Sequence, residues 1–260
     1  MNITIVGAGI SGLSAAFELQ KSGFEITLLE GSERLGGKIL TSEIEGFNID
    51  AGPDSFLTRD PEMRELCFAL GVGNELVPPT GKPAKVWVDG EMHSLPKRHF
   101  LGVPLDLDEL EELSLLTEEG IKRAKLDLTL PDNKPADGET VGSLIRRRLG
   151  DEVMDRLVGP LLGGINAGNA DNLCLESGVP QLFSASQGDF SLVRSIQAFL
   201  KNQNRDPASP VFLTHPDGLQ KVVKRLEQEI DSNIQRNERV RSVEMSDNSI
   251  IIKGSQEYQT

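Results

Sequence analysis

The glycine spacing in Gly7-Ala8-Gly9-Ile10-Ser11-Gly12 constrains this chain more than any other feature, because of what stands on either side of it. Ile3, Thr4, Ile5 and Val6 precede it as a run without polar alternation, which predicts a strand covered on both faces. A helical pattern comes next, through Ala15, Ala16 and Leu19, and closes at Gly23, and Glu25 to Glu30 reads as a second strand. In such a strand–turn–helix–strand unit, Gly7 allows the tight turn and Gly9 lets the backbone approach a pyrophosphate. Gly12 lets the helix pack closely on the strand. Glu30 ends the second strand 18 residues past Gly12, where a carboxylate can accept from a ribose 2′-hydroxyl and repels a 2′-phosphate. These features predict an ADP-containing dinucleotide and disfavour NADP. Met1 to Leu19 is apolar enough to imitate a leader peptide, but it has no basic start.

Charge narrows the partners. Among 260 residues, 40 acidic and 27 basic side chains leave a net charge of −13, against sequence-independent nucleic-acid binding and against electrostatic docking on anionic lipid. No apolar run reaches the length of a spanning helix. Cys67 and Cys174 stand alone, without the spacing of a zinc site or a disulfide framework, so a reducing cytoplasm is the expectation.

The residues just after Glu30 separate flavin from nicotinamide. Arg34, Gly36 and Gly37 alone would be a basic residue and a flexible surface turn. They are similar to the RxGG motif of FAD-dependent amine oxidases, phytoene desaturases and porphyrinogen oxidases. Gly52-Pro53-Asp54-Ser55-Phe56 closely resembles a segment lying against the flavin in protoporphyrinogen and coproporphyrinogen oxidases. The run from Leu157 to Leu182, with Gly163-Gly164-Ile165-Asn166-Ala167-Gly168 at its centre, looks like a further block of the same enzymes, as do Glu91 to Pro96 and Phe212 to Leu219.

The resemblance implies an α/β architecture, a Rossmann-like FAD-binding domain with an inserted, mostly helical substrate- and membrane-associated domain. It divides the sequence into a first FAD-domain part (1–83), a substrate-domain hairpin (84–98), a helical domain (99–205) and a return to the FAD domain (206–260). It assigns Gly7, Ala8, Gly9, Ile10, Ser11, Gly12, Glu30, Gly31, Arg34, Gly36, Gly37, Lys38, Gly52, Pro53, Asp54 and Ser55 to FAD, with Val240 near the adenine through its backbone. The implied activity is oxidation of protoporphyrinogen IX or coproporphyrinogen III to the porphyrin, with oxygen as acceptor. The alternatives are another FAD-dependent amine oxidase or carotenoid desaturase, or a non-catalytic FAD-binding fragment. Plant and animal members carry a propionate-pairing arginine shortly after the Leu-Pro pair. Here that position falls at Phe100, with Lys97 and Arg98 upstream as substrate candidates. Such enzymes also carry a late glycine-rich segment against the flavin, which is absent before Thr260, so the sequence reads as the N-terminal half of one.

Elsewhere local patterns carry the reading. Asp60 and Pro61 predict a helix start with a capping carboxylate and proline at the first helical position, running through Leu66 and Leu70 to Gly71. Val86 to His93 predicts a hairpin turning at Asp89-Gly90. Asp106 to Glu119, with seven acids, no base and leucines at 107, 110, 113 and 116, predicts a helix with a solvated acidic face. Thr140 to Leu149 and Asp151 to Leu162 predict two helices broken at Gly150. Arg146, Arg147 and Arg148 read as a solvated helix end, or else as an anchor for membrane phosphates or substrate propionates. The surrounding acids allow only a weak peripheral membrane contact. Asn202 to Ser209 reads as a polar linker, Gly218 to Ile230 as a helix, and Arg239 to Met245 and Ser249 to Lys253 as strands. His93, His99 and His215 are scattered and read as structural or surface residues, and no nucleophile elbow or metal motif is present. No catalytic residue is assigned.

Overall fold

β-branched residues favour strands because their side chains pack well on a pleated surface, and the first two such runs pair with each other. In the computed structural model, described over residues 2–81, 84–131, 134–202, 209–231, 233–246 and 249–259, β1 (Asn2–Val6) and β2 (Glu25–Leu29) run parallel, joined through α1 (Ile10–Lys21). Leu13, Ala16 and Phe17 form the buried stripe of α1, and Gly23 ends the turn after it at φ +79°. Two antiparallel strands, β3 (Thr41–Ile44) and β4 (Phe47–Asp50), come next, then a short β5 (Phe56–Leu57) and α2 (Glu62–Ala69). The Asp60 carboxylate does not cap α2. It pairs with Arg59 at 3.0 Å, and Pro61 itself occupies the cap position with helical backbone angles. Proline's fixed φ starts the helix without a side-chain acceptor.

The chain divides into two compact units, 1–80 with 208–260, and 81–207. The second unit opens with a hairpin of β6 (Lys85–Val88) and β7 (Glu91–Ser94), whose turn residues Asp89 and Gly90 both have positive φ, +51° and +86°. That pair of angles is the hairpin turn an Asp-Gly sequence selects. The two-residue strands β8 (His99–Phe100) and β9 (Val103–Pro104) are next. The predicted acidic helix is absent. Only Glu109–Glu112 makes a 3₁₀ turn, and α3 (Glu118–Lys125) begins where the acidic run ends. Carboxylates three and four residues apart would repel on a helix, whereas here Asp108 and Glu111 both reach Lys125, at 2.7 and 2.5 Å. Leu107, Leu110, Leu115 and Leu116 still reach the core, but at irregular spacing.

α4 (Val141–Leu149) is capped by the Thr140 hydroxyl, which accepts from Ser143 N, and it stops at Gly150 with φ +95°. α5 (Asp151–Val153) passes through a π-turn at Met154–Val158 into α6 (Gly159–Asn166), and α7 (Leu175–Gly178), α8 (Pro180–Ala185) and α9 (Leu192–Asn202) complete this unit. Of the three arginines only Arg148 is buried, which corrects the solvated-end reading for that residue, while Arg146 and Arg147 are partly exposed and held in ion pairs. Arg146 contacts Asp151, Asp155 and Asp171; Arg147 contacts Glu139; and Arg148, 2% exposed, donates to Asp127. Each cation is held by carboxylates of its own unit, which leaves none of the three available as an anchor.

Residues 203–208 of the expected linker lie outside the described residues. The return segment contains β10 (Phe212–Leu213), which pairs with β5, and α10 (Gln220–Glu229). It also contains β11 (Asn233–Gln235), a strand that the sequence pattern does not predict and that pairs parallel with β2. The parallel sheet is therefore ordered β1-β2-β11. This order corrects the expectation for β1. Among the described residues β1 pairs on one edge only, and just its middle residues Ile3, Thr4 and Ile5 are half-buried, with Val6 50% exposed, while central β2 buries Ile26, Leu28 and Leu29. A meander of β12 (Ser242–Ser246), β13 (Ser249–Lys253) and β14 (Glu257–Gln259) ends the described chain, so Arg239 to Arg241 lie before the strand they were expected to begin.

Candidate dinucleotide site

At the carboxyl end of β1 the backbone turns on Gly7, at φ +95°, and Gly7 N donates to Leu29 O at 2.8 Å. A Cβ on Gly12 would lie 1.9 Å from Gly7 O, so α1 can seat against this turn only with glycine there. Gly9 occupies the cap position of α1 without a side-chain cap, and the first turn of the helix carries no acidic residue. The N–H groups at that end therefore face outward with the positive end of the helix dipole behind them, an arrangement suited to an anion.

Glu30 sits immediately beyond β2 and fixes the loop from the other side. Its Oε2 accepts from Ala8 N at 2.8 Å, and its Oε1 accepts from Ser32 N at 2.9 Å and Ser32 Oγ at 2.8 Å. Burial raises the Glu30 pKa, but these hydrogen bonds and nearby Arg34 outweigh it and hold the carboxyl below its ordinary range. Ser32 is a site residue that sequence reasoning missed; its only signal is a hydroxyl two residues after the carboxylate, where it can fold back locally.

The Arg34-Leu35-Gly36-Gly37 turn packs directly on the glycine loop. Gly36 N donates to Ala8 O at 2.8 Å, Gly9 and Gly36 form a parallel bridge, and a Cβ on Gly37 would come within 3.0 Å of Gly9 Cα. Gly36 and Gly37 both hold positive φ, +101° and +57°. Arg34 lies at this turn with its guanidinium on backbone carbonyls, Leu35 O at 3.1 Å, Ile39 O at 2.7 Å and Gly37 O. Lys38 is exposed, and its carbonyl marks the next close approach, since a Cβ on Gly52 would meet Lys38 O at 1.9 Å. Thus residues 7–12, 30–38 and 52 form one continuous surface. Pro53 and Asp54 continue from it in exposed positions. Ser55 Oγ donates to Asp54 Oδ1 at 2.9 Å, and Thr214 Oγ1 holds Asp54 O at 2.5 Å. Gly31 lies against Arg239, at 3.6 Å from a Cβ built on it to Arg239 Cα, and Glu238 N donates to Glu30 O at 2.8 Å, which brings half-buried Val240 to the same edge.

Lys97 and Arg98 belong to the other unit, after β7. Both are exposed; Lys97 N donates to Glu109 Oε1 at 2.7 Å and Arg98 O accepts from Leu105 N. The Gly163–Gly168 block is also there, at the end of α6, with Ala167 in a left-handed conformation. His215 is buried and bonded to Glu75 at 3.1 Å, a bracing role. Among the described residues no group of acidic, histidine and cysteine side chains could hold a metal ion, and both cysteines are free.

The family profile of flavin-containing amine oxidoreductases matches residues 10–257, nearly the whole chain. The chain belongs to that family. This flavin-containing amine oxidoreductase is 35% identical over 245 residues to a coproporphyrinogen III oxidase of Bacillus subtilis (strain 168), covering 88% of this chain and 51% of the relative. A coproporphyrinogen III oxidase of Staphylococcus aureus is 32% identical over 238 residues, with the same two shares. A solved structure from Exiguobacterium sp. 255-15, described as a candidate protoporphyrinogen oxidase, superposes with a TM-score of 0.85 at 32% identity, over 99% of this chain and 57% of the other. Cyclohexylamine oxidase from Brevibacterium oxydans shares the fold alone, with a TM-score of 0.65 at 22% identity. The chain spans about half the length of the curated relatives it matches. FAD is the cofactor of this α/β fold, and the residues present fit it: the turn keeps a Cβ-free approach at Gly7, Gly9 and Gly12, and the Glu30 carboxylate stands beside the turn, bonded to Ala8 N.

Proposed function

We propose that this chain supplies the nucleotide-binding portion of an FAD-dependent porphyrinogen oxidase, with coproporphyrinogen III as substrate and oxygen as final acceptor. The observation that carries the reading is the joined surface of residues 7–12, 30–38 and 52, where the close backbone approaches at Gly12 and Gly52 leave no room for a Cβ and Gly37 holds positive φ beside Gly9. The N–H groups at the start of α1 hold the pyrophosphate, with exposed Lys38 adding positive charge beside it. Glu30 keeps a second lone pair on Oε2 for a ribose hydroxyl while it braces Ala8 and Ser32. The backbone near Val240 borders the adenine, and the Gly52 to Ser55 segment, tied down by Thr214, lies toward the flavin ring. When bound, FAD supplies two-electron acceptance, which the substrate requires three times to lose six electrons and six protons. The names borne by the Bacillus and Staphylococcus relatives support coproporphyrinogen III over protoporphyrinogen IX. Exposed Lys97 and Arg98, in the unit of residues 81–207, are the cations offered to the substrate's propionates.

Incubating the purified chain with FAD, desalting it and recording the visible spectrum tests the binding claim. Retained flavin near one per chain is expected, and a folded but colourless protein would remove it. Porphyrin fluorescence after mixing the loaded protein with coproporphyrinogen III then tests turnover, and a Lys97→Ala/Arg98→Ala variant with unchanged substrate affinity removes those two residues.

A further inference from the structure

We infer that Arg34 is a positioning residue, a clamp that holds the Gly36-Gly37 turn against the glycine loop, and not the partner of a cofactor phosphate; the cofactor consequence of this inference rests on the FAD reading above. The geometry is a hydrogen-bonded ring that begins and ends on Ala8. Ala8 N donates to Glu30, Ser32 Oγ lies within bonding distance of both Glu30 Oε1 and Arg34 O, and Gly36 N donates back to Ala8 O. Within that ring the Arg34 guanidinium gathers the carbonyls of Leu35, Gly37 and Ile39.

Those carbonyls converge because two successive residues hold positive φ, a backbone that turns its oxygens to one side. Without a common donor the three oxygens would depend on solvent for their partners. A planar guanidinium has several donors in a fixed fork and can serve all three at once, whereas an ammonium is a compact point charge that cannot match the fork. What the clamp secures is the approach of Gly37 to Gly9, where added side-chain atoms would collide. Gly9 is the cap of α1, so the direction of the outward N–H groups depends on this contact. Lys38, next in the chain and exposed, remains a cation able to face an anion.

Direct phosphate pairing and a clamp predict different results. A clamp acts in the FAD-free chain, so Arg34→Lys and Arg34→Gln should both lower its thermal midpoint by several degrees. Both should also weaken FAD binding by roughly tenfold or more, to within about threefold of each other, because lysine keeps the charge but loses the fork. The dependence of FAD affinity on salt should stay as in the unaltered chain for both variants and should flatten in Lys38→Gln. Arg34→Lys with unaltered affinity, together with an unchanged FAD-free midpoint for Arg34→Gln, would overturn the clamp in favour of direct pairing. Hydrogen exchange of the unaltered, FAD-free chain decides the matter even if the variants fail to fold. The Gly36 and Ile39 amides, bonded to Ala8 O and Gly36 O, should be protected, and exchange at open-chain rates would sink the proposal. Failure of the unaltered chain to bind FAD would count against the functional reading and leave the midpoint and exchange results to judge the clamp.

Discussion

Glu30 braces its own chain in addition to its proposed ribose role, and pH separates the two. Its folded pKa lies below the ordinary value of 4.5: burial opposes this, but the donors at Ala8 and Ser32 prevail. A carboxyl depressed on folding stabilises the protein above its unfolded pKa and loses that contribution as the pH falls through the folded value. The FAD-free chain should therefore lose part of its thermal midpoint as the pH falls below the ordinary carboxylate range and through the depressed value of this residue. In Glu30→Gln an amide N–H₂ would face one of these donors, which should cost about 1–3 kcal/mol at neutral pH. The same variant should show a shallower fall on acidification, and parallel melting-versus-pH curves for the two proteins would refute the assignment. Glu30 was legible in the sequence because its distance from the glycines is fixed by a strand and a helix of predictable length. Ser32 and the carbonyl-facing guanidinium of Arg34 were not, because hydrogen bonds to neighbouring backbone depend on turn geometry and leave no periodic trace.

At the scale of elements, a buried carboxylate ties two helices of the second unit together. Asp127 accepts from Arg148 Nε at 2.7 Å and Ser191 Oγ at 2.7 Å, and also from Leu192 N and Val193 N at 3.1 and 3.0 Å, so it caps α9 while neutralising α4. Both side chains are essentially sealed from solvent, 2% and 0% exposed. Asp127→Ala would leave a buried guanidinium unpaired and uncap α9, at a cost of about 3–5 kcal/mol. Arg146→Ala removes a cation with more carboxylate partners, but they are half-exposed and water takes their place, so about 1 kcal/mol or less is expected. Urea unfolding of both variants checks the order, and equal shifts in midpoint would show that burial is not what matters. This contrast also explains what the sequence could and could not reveal. Arg146, Arg147 and Arg148 were visible as a cluster, but their distant carboxylate partners, up to 25 residues away in sequence, were not. β11 escaped notice because three residues give too little alternation to read, and the acidic stretch misled because leucine spacing was counted without the repulsion beside it. The hairpin at Asp89-Gly90 and the break at Gly150 were legible because each rests on a backbone angle that one residue type supplies.

For the whole molecule, the decisive fact is that the two units own separate hydrophobic cores. One is built around Leu13, Leu28, Leu70, Val222 and Leu226, the other around Leu110, Leu144, Ile145, Leu157 and Ile196, and no residue belongs to both. The order of segments along the chain, leaving the nucleotide fold and returning to it, could be inferred from motifs. The return strand β11 completing the parallel sheet needed the structure, since that pairing is non-local. Separate cores make separate cooperative transitions the expected behaviour, and a ligand raises only the transition of the unit that binds it. Every proposed FAD contact lies in residues 1–80 or 208–260. FAD at about one hundred times its dissociation constant should stabilise that unit by about 2.7 kcal/mol, and shift its melting on the order of 10 °C. The transition of residues 81–207 should stay in place, while Asp127→Ala should move that one and leave the FAD-sensitive one where it was. Calorimetry with and without FAD reads both at once. If FAD moved every transition equally, the binding energy would be distributed over both units, and the confinement of the dinucleotide site to the first would be wrong.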